Sequence, residues 1–314
     1  MSPKNIITVG NFDGVHLGHQ AIVRAARERA GPIDGCGVLA VTFDPPPIAV
    51  LKPRGAPLQV ASLADRERWL RAAGADRVEV LTPDPAMLGL SAQAFIERLV
   101  ADHGAVGFVE GEDFRFGKGR GGDMAVLRAM GDAHGFAVHT LGRLEAPLSD
   151  GTNAPVSSSL VRGLIGRGRV EDTAVCLGRP WEVTGLVVKG EQRGRTINIP
   201  TANLDPACYT GLVVPMDGVY AGAATLDDGT LYPAAISVGN KPTFGGQVQT
   251  IEAHLVGFTP DNPDALYGRP MTLRFARWVR EQYPFANADE LVTQLRRDID
   301  QAQAWHRDAA RQPS

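Results

Sequence analysis

The stretch from Gly10 to His19 joins an apolar run to a helical pattern and sets two histidines at the junction. The run before it predicts a buried parallel strand, and the residues after it predict a helix. The N-terminus of a helix attracts anions, because its free backbone N–H groups and its dipole point outward there. Gly14 and Gly18 allow a ligand to approach the backbone closely. The junction therefore predicts a site for a nucleoside triphosphate, in which His16 and His19 contact the phosphoryl group that is attacked.

Two other interpretations of the histidine pair stay open. His16 and His19 lie three residues apart and share a helix face, so they could simply cap the helix or lie on its surface. Together with Asp13 they could instead bind a metal ion. The flanking glycines and the strand-to-helix context favour the nucleotide interpretation.

Strands and helices alternate through the first half of the chain, which predicts a doubly wound parallel sheet. Ligands of such sheets bind beyond the carboxyl ends of the strands, and the histidine pair follows one of those ends. After the first strand and helix, the predicted strands cover 37–43, 78–81, 105–109 and 136–141, and the predicted helices cover 62–74, 91–100 and 124–134.

Short β-type runs dominate from about residue 177 onward and are separated by turns rich in Gly, Pro and Asn. This spacing predicts an antiparallel barrel or sandwich. The change of pattern predicts two domains, 1–176 and 177–314. The predicted strands of the second domain cover 181–189, 218–224, 234–238, 250–256 and 271–279.

A final helix is predicted to begin after Asn287, whose side chain suits an N-cap. Its apolar residues recur at helical spacing, so one face is expected to pack across the barrel. The residues of that face are Leu291, Leu295, Ile299 and Ala302.

Composition excludes several classes of protein. The 314 residues carry a net charge of −3, which does not favour nucleic-acid binding through bulk charge. The three cysteines lie far apart and indicate neither a disulfide framework nor a zinc site, so the cytoplasm is the expected compartment. No signal peptide is expected, and no apolar stretch approaches the ~18 residues of a membrane span. The oligomeric state is left open.

The pattern Gly-x-Phe-Asp-Gly-x-His-x-Gly-His is complete at the first junction. It resembles the motif of nucleotidylyltransferases and, more narrowly, that of the bacterial bifunctional riboflavin kinase/FAD synthetase family. The resemblance extends over about residues 5–305, because further segments follow in the family's order. It implies an α/β doubly wound nucleotidylyltransferase domain that adenylylates FMN, followed by an antiparallel β-barrel riboflavin kinase domain with a C-terminal helix. It also implies catalytic roles for His16 and His19, and nucleotide or phosphate binding by Gly10, Asn11, Phe12, Asp13 and Gly18.

Residues 156–162 resemble the family's Ser-Ser-Thr-x-x-Arg element, with Ser159 where the family has Thr. Hydroxyls and a guanidinium at a helix start are good phosphate ligands. The resemblance therefore implies phosphate binding by Ser158, Ser159 and Arg162. Taken alone, the same residues are a serine cap with a surface arginine.

Residues 111–120 also resemble a family segment, and the resemblance implies that Asp113 binds nucleotide. The glycines and basic residues of this loop could cover phosphates or close over the flavin. The loop is not a Walker loop, because five residues separate Gly111 from Gly117 and Gly119 stands where Ser or Thr is required. The open alternative is a mobile basic loop on the surface.

Residues 189–204 resemble the riboflavin kinase signature and contain Pro-Thr-Ala-Asn intact. The resemblance implies that Thr201 and Asn203 bind Mg²⁺ with the ATP phosphates, and that Gly190 and Arg195 bind the nucleotide. Neutral oxygen ligands suit Mg²⁺ in this setting, because ATP brings the negative charge. Without the resemblance, the tetrapeptide is an ordinary Asx turn.

Glu252 falls where the kinase family has its catalytic carboxylate. On a predicted strand its side chain faces away from Ile251 and Ala253. If that face lines a pocket, the carboxylate can accept the proton of the terminal ribityl hydroxyl. If the face meets water, Glu252 is a solvated charge; the resemblance favours the catalytic base.

Three residues depart from the family pattern. Pro46 stands where the family often has a histidine, which puts a ligand of the ATP phosphates in question. Asn198 and Ile199 replace the usual Gly and Phe. Asn can adopt a positive φ, so the backbone conformation before Pro200 can be kept.

The resemblance as a whole implies that the chain phosphorylates riboflavin to FMN and adenylylates FMN to FAD. Mg²⁺ acts with ATP, and the flavins are substrates and products rather than redox cofactors. Three alternatives stay open. The first half could transfer a nucleotide to another small phosphate, only one of the two activities could be retained, or the chain could be a flavin-binding regulatory protein with decayed sites.

Overall fold

The computed structural model describes residues 4–192, 194, 197–243, 246–259, 262 and 264–309, without the side chains of 241–243, 246–248 and 309. Contacts divide the chain into two compact units, 1–147 with 153–160 and 148–152 with 161–314. Residues 161–176 thus group by their contacts with the second unit. The domain boundary between residues 176 and 177 stays a prediction.

The first unit is built on a five-stranded sheet in which every pairing is parallel, as predicted. The order across the sheet is β3-β2-β1-β4-β5. The strands are β1 (Lys4–Val9), β2 (Cys36–Phe43), β3 (Arg77–Leu81), β4 (Ala105–Gly111) and β5 (Ala137–Leu141). A short antiparallel pair follows, β6 (Glu145–Pro147) with β7 (Asn153–Pro155).

Helices cover both faces of this sheet, so its central strands are buried on both sides. Phe95 and Phe108 belong to the core on one face, and Val23 and Leu70 belong to the core on the other. The helices of this unit are α1 (Leu17–Ala30), α2 (Pro47–Leu51), α3 (Leu63–Ala72), α4 (Pro85–Leu88), α5 (Ala92–His103) and α6 (Met124–His134). Helix α7 (Ser158–Gly166) begins in the first unit and continues in the second, and α8 (Val170–Leu177) belongs to the second unit. The short helices α2 and α4 and the helix α8 were not predicted.

The connections of the sheet change direction at β1. From β1 the chain continues to β2 and β3 on one side, and it later fills β4 and β5 on the other side. The carboxyl ends of β1 and β4 therefore flank the topological switch point, where open α/β sheets bind their ligands. The turn that carries the histidine pair leaves β1 at this point.

The second unit is a closed barrel, which decides between the two predicted antiparallel architectures. The order around the barrel is β10-β11-β12-β9-β8-β13. Phe275 packs against both Trp181 and Tyr220 in its core. The strands are β8 (Trp181–Val188), β9 (Ala202–Leu204), β10 (Gly218–Leu226), β11 (Leu231–Thr243), β12 (Gly246–Leu255) and β13 (Pro270–Arg280). Strand β9 was not predicted.

The C-terminal helix, α9 (Ala288–Ala309), packs against β10 and β11. Ala302 on its predicted apolar face is wholly buried. The same helix also buries a charge, because Asp298 is 1% exposed and accepts hydrogen bonds from the Arg280 guanidinium at 2.7–3.1 Å. An ion pair thus fastens the helix to the end of β13.

Candidate active sites

His16 and His19 lie against each other at the start of α1. Their ring centroids are 3.6 Å apart, and the ring planes differ by 20°. Nδ1 of His16 accepts the backbone N–H of His19 at 3.4 Å, so His16 caps the helix and carries its proton on Nε2 when neutral. A Cβ atom at Gly18 would come within 3.2 Å of the His16 ring. Glycine at this position therefore gives the His16 ring its room.

Burial keeps His19 uncharged in the free protein. Desolvation, helped by the neighbouring His16, lowers the pKa of His19 well below 6.5. Nδ1 of His19 is buried, and within the described part of the chain it has no hydrogen-bond partner. A buried polar atom without a partner is unusual and calls for a ligand or another explanation.

The turn before the histidines has a strained backbone. Phe12 and Val15 adopt φ of 47° and 41°, and both side chains are buried. Such conformations cost about 1–3 kcal/mol each and cluster at functional sites. The Phe12 ring meets the ring of His19 edge-on at 5.2 Å, and a Cβ at Gly10 would lie only 3.3 Å from the Phe12 ring. Phe12 therefore supports the imidazole, and Gly10 leaves space for Phe12.

Asp13 stabilises this turn through its carboxylate. Its Oδ1 accepts the backbone N–H groups of Val60 at 2.7 Å and Ala61 at 3.3 Å. Its backbone oxygen accepts the hydroxyl of Ser158 at 2.9 Å. Among the described residues no group of three or more His, Cys, Asp or Glu is placed to hold a metal ion, which argues against the metal interpretation of Asp13 and the histidines.

Asn11 is exposed, and its backbone oxygen is hydrogen-bonded to neighbouring side chains. That oxygen accepts hydrogen bonds from the Arg66 guanidinium at 3.1 Å and from the Thr42 hydroxyl at 3.2 Å. Arg66 is only 1% exposed and also binds the Phe43 carbonyl and the Asp44 carboxylate. It thereby ties the turn after β1 to the end of β2.

A cavity of about 390 Å³ opens beside the two imidazoles, and we call it the histidine cavity. Both rings therefore face open space rather than a dry interior, as a ligand site requires. The predicted nucleotide-binding residues Asn11, Asp13, Ser159 and Arg162 are not among its lining residues. The lining includes Gly10, Phe12, His16, Gly18, His19, Glu110, Asp113 and Ser158.

The serine element begins helix α7. Ser157 Oγ accepts the backbone N–H of Leu160 at 3.2 Å, so the predicted serine cap is present. Ser158 lines the histidine cavity and Ser159 is exposed. Arg162 follows one turn later on the same helix and groups by its contacts with the second unit.

Asp113 lies in the loop after β4, where its side chain is 67% exposed at the rim of the histidine cavity. The Arg143 guanidinium lies 3.5 Å from Asp113 and 3.6 Å from Glu112. These exposed ion pairs are worth little on their own. The loop therefore brings both signs of charge to the rim.

In the second unit, Thr201 and Glu252 are hydrogen-bonded. The Thr201 hydroxyl donates to Oε2 of Glu252 at 3.1 Å. Asn203 on β9 lies directly opposite Glu252 on β12. A Cβ at Gly190 would come within 2.5–2.7 Å of the Asn203 amide group. Gly190, Thr201, Asn203 and Glu252 thus form one group, the Thr-Asn-Glu cluster.

The two faces of β12 differ as expected. Ile251 and Ala253 are wholly buried in the barrel, and Glu252, on the opposite face, is half-buried. Glu252 is therefore neither inside the barrel core nor a free surface charge. Its hydrogen bond to Thr201 places it beside the segment with the predicted Mg²⁺ ligands.

At Asn198, where the family usually has glycine, the backbone keeps a conformation that glycine adopts easily. Asn198 adopts φ of 57°, which confirms that this residue accepts the left-handed conformation. Ile199 is buried and donates its backbone N–H to the Gly194 carbonyl at 2.8 Å. Arg195, predicted to bind phosphate, lies outside the described residues.

A second cavity of about 560 Å³ lies next to the Thr-Asn-Glu cluster and shares Thr201 with it. One of its polar groups is His254, whose Nδ1 lies 2.8 Å from the Pro200 carbonyl oxygen. Because a carbonyl can only accept, Nδ1 of His254 carries a proton. Most other lining side chains are apolar or aromatic, including Val187, Leu255, Phe258, Leu266 and Tyr267.

Three residues at these sites were missed by the sequence analysis: Arg66, Glu110 and His254. The signal for Glu110 was present, since a carboxylate ends the otherwise apolar run of β4. His254 stands two residues after Glu252, so strand alternation puts both on one face. Arg66 gave no signal, because a charged residue on a helix is usually exposed.

Comparison with known proteins identifies the family of both halves of the chain. The family model for FAD synthetase matches residues 1–159, and the model for riboflavin kinase matches residues 177–306. A bifunctional riboflavin kinase/FMN adenylyltransferase from Haemophilus influenzae is 32% identical over 95% of this chain and 93% of its own. Proteins of the same description from Escherichia coli (33%, covering 93% of this chain and 90% of its own) and Pseudomonas fluorescens (35%, 95% and 92%) are similar.

The fold is also similar to a solved structure. A crystal structure described as a macrolide-efflux protein from Streptococcus pneumoniae superposes with a TM-score of 0.85 at 30% identity, covering 97% of this chain and 96% of its own. In the part of the present chain that the structure describes, no helix is both long and apolar enough to span a membrane. The two family models and the near full-length relatives together show that the chain belongs to the bifunctional riboflavin kinase/FMN adenylyltransferase family.

Proposed function

We propose that the second unit phosphorylates riboflavin to FMN and that the first unit transfers an adenylyl group from ATP to FMN, giving FAD. The observation that carries this division is that each unit has its own built site. The Thr-Asn-Glu cluster lies within the segment matched by the riboflavin kinase model, and the histidine cavity lies within the segment matched by the FAD synthetase model.

In the kinase reaction, Glu252 accepts the proton of the terminal ribityl hydroxyl while that oxygen attacks the γ-phosphorus of ATP. ADP leaves, and FMN is formed. The Thr201 hydroxyl orients the carboxylate through its hydrogen bond to Oε2. This hydrogen bond supports Glu252 as the acceptor of the proton, because it keeps the carboxylate next to the segment that we propose binds the phosphates.

The donor set of the cluster fits a hard cation. Hydroxyl, amide and carboxylate oxygens are the ligands that Mg²⁺ prefers, and the nucleotide brings further oxygens and negative charge. Thr201 and Asn203 would hold Mg²⁺, which supplies charge neutralisation for the ATP phosphates. Gly190 keeps Asn203 in place, since no larger residue fits against its amide. Arg195 is proposed to contact the phosphates.

In the adenylylation, a phosphate oxygen of FMN attacks the α-phosphorus of ATP, and pyrophosphate leaves. The nucleophile is already an anion, so the step needs no general base. His16 and His19 both line the histidine cavity and stabilise the charge of the transferring group. Catalysis here is positioning and electrostatic stabilisation.

The remaining predicted residues of the first site take supporting roles. Gly10 and Gly18 keep the backbone close to the nucleotide, and Asp113 contacts it from the rim. Asn11, Phe12 and Asp13 hold the turn, as their contacts indicate. The departing pyrophosphate is bound by Ser158, Ser159 and Arg162.

The second cavity is proposed to bind the ring system of a kinase substrate. Its aromatic and aliphatic wall suits a flat heterocycle, and Thr201 connects it to the cluster where the phosphoryl group is transferred. Replacing Phe258 with Ala should raise the KM for whichever substrate places its ring there. Measuring KM for riboflavin and for ATP separately identifies that substrate.

The test of the proposed function is a product assay. Riboflavin, ATP and Mg²⁺ are incubated with the protein, and the flavins are separated by chromatography. FMN and FAD should both accumulate, and ADP and pyrophosphate should appear with them. Flavin binding without either by-product would make the chain a regulatory binder, and FMN alone would point to Pro46 as the reason for an impaired first site.

The small number of cysteines supports the cytoplasm as the compartment of the protein.

A further inference from the structure

Glu110 occupies the switch point of the parallel sheet. The last residue pair of the β1–β4 ladder is Ile7 with Phe108. Beyond that pair, the backbone N–H of Val9 donates to Oε1 of Glu110 at 2.7 Å. Where β1 and β4 separate, the Glu110 side chain therefore replaces a backbone carbonyl as the hydrogen-bond acceptor. Glu110 is 2% exposed, and it lines the histidine cavity.

The environment of Glu110 favours the neutral acid. Burial raises the pKa of Glu110 well above 4.5, and the Val9 N–H group and the neighbouring Thr8 hydroxyl together offset only part of that effect. Within the described part of the chain, the structure gives Glu110 no ion-pair partner. A protonated carboxyl group retains one O–H donor, whereas a carboxylate can only accept.

Other charged or titratable groups face the same cavity from three elements. Helix α1 contributes His19, the N-cap of that helix is His16, and the loop after β4 contributes Glu112 and Asp113. Arg143, after β5, lies near both of these acidic residues, and all three side chains are more than half exposed. The rim charges are therefore screened by water and by one another, while Glu110 is buried.

We propose that Glu110 is a nucleotide-binding residue of the adenylylation site, whose carboxyl group donates a hydrogen bond to a phosphate or ribose oxygen of ATP. The inference rests on the proposed function of the histidine cavity. An ionised carboxylate in this position would repel a polyphosphate, whereas an uncharged acid can bind it. Glu110 also lies near the carboxyl end of β4, and ligands of open α/β sheets bind next to the strand ends at the switch point.

The experiment compares Glu110→Gln and Glu110→Leu with the unchanged protein, using FMN and ATP as substrates and FAD as the product. Gln keeps an N–H donor and cannot ionise, so its KM for ATP at pH 7 should stay within about twofold. Leu removes the donor, so KM for ATP should rise by about tenfold while KM for FMN stays unchanged. Phosphorylation of riboflavin by the same proteins is the internal control and should not change.

The pH profile separates binding from a merely structural role. KM for ATP should rise with increasing pH in the unchanged protein as Glu110 ionises, and it should stay flat in Glu110→Gln. The matched control is Glu112→Gln, which removes an exposed carboxylate of the same rim and should follow the unchanged protein.

Several results would overturn the proposal. These are an unaltered KM for ATP in Glu110→Leu, a change in KM for FMN instead, or identical pH profiles for the unchanged protein and Glu110→Gln. If Glu110→Leu does not fold, as judged by thermal melting, the two pH profiles decide alone. Failure of the unchanged protein to make any FAD would instead contradict the proposed function.

Discussion

The Thr201 hydroxyl donates a hydrogen bond to Oε2 of Glu252 at 3.1 Å, although the two residues are 51 positions apart in the chain. The contact exists because β9 pairs with β12 so that Asn203 stands opposite Glu252. A two-residue strand contact therefore brings the proposed metal ligands to the proposed base. The function of the cluster depends on that register.

Replacing Glu252 with Gln should lower the rate of riboflavin phosphorylation by at least about 100-fold, because the amide cannot accept the proton. Conversion of supplied FMN to FAD should continue at the original rate. The two rates are measured by chromatography of the flavins. Asp228→Asn, which changes an exposed carboxylate of the same unit, is the control and should leave both rates unchanged. Loss of both reactions in Glu252→Gln would show that the division of labour is wrong.

Replacing Gly190 with Ala should impair phosphorylation through Asn203. The new methyl group would lie 2.5–2.7 Å from the Asn203 amide atoms, so the amide must move. A displacement of about 1 Å at a reacting site can cost about 100-fold in rate. We expect kcat/KM for riboflavin phosphorylation to fall by about 10- to 100-fold, with a higher Mg²⁺ requirement and unchanged adenylylation.

The control for that variant is Gly55→Ala, because a methyl group there meets no atom within 4 Å. It should leave phosphorylation, adenylylation and the Mg²⁺ requirement unchanged. An unaltered Mg²⁺ requirement in Gly190→Ala would contradict the role given to Asn203.

Replacing His19 with Asn should reduce FAD formation by about 10²–10³-fold, since it removes a group that stabilises the transferring phosphoryl charge. Riboflavin should still be converted to FMN, which should accumulate. His139 is a half-buried histidine of the same unit and gives the matched control, His139→Asn, for which normal FAD formation is expected. Wild-type FAD formation in His19→Asn would remove the imidazole from the mechanism.

Asp172 makes the second unit sensitive to acid. Burial alone would raise the pKa of Asp172, but hydrogen bonds from Ser149 and the ion pair with Arg169 outweigh it and hold the pKa below 3.8. Because the folded state binds the proton more weakly, this stabilisation is complete above pH 3.8 and is lost as the pH falls through the lowered pKa.

We therefore expect Asp172→Asn to destabilise the protein by about 1.5–3 kcal/mol at pH 7 and by much less in acid. Urea unfolding of both proteins, measured at neutral pH and again near pH 3, checks this. An equal difference at the two pH values would show that the carboxylate charge does not contribute.

The sequence predicted the first unit well because its central strands β1, β2 and β4 are largely buried and consist mostly of apolar residues. Helix α6 was predicted with the correct ends, since Asp123 caps it and Gly135 ends it. Strand β9 was missed because three residues carry no periodicity, and their pairing is decided by the barrel. Likewise β11 extends well beyond the predicted 234–238, since its ends are set by its partners.

The sequence indicated which residues belong to the candidate sites but not how their side chains are arranged. The motif gave His16 and His19, but nothing local indicated that their rings would stack or that burial would hold His19 neutral. Asp13 was expected to bind phosphate, and its carboxylate is used by backbone N–H groups. Glu110 was overlooked because burial is a property of the assembled sheet.

The ion pair of Arg280 with Asp298 makes the last helix a part of the barrel rather than an appendage. A chain shortened before residue 288 would lose the Asp298 carboxylate and would uncover the Arg280 guanidinium, together with the surface of β10 and β11 on which the helix packs. Each buried apolar side chain that becomes exposed costs about 1.5–3 kcal/mol, a large share of the stability of an ordinary domain. Truncation of the C-terminus would therefore weaken the barrel that carries the Thr-Asn-Glu cluster, even though no residue of the helix belongs to that cluster.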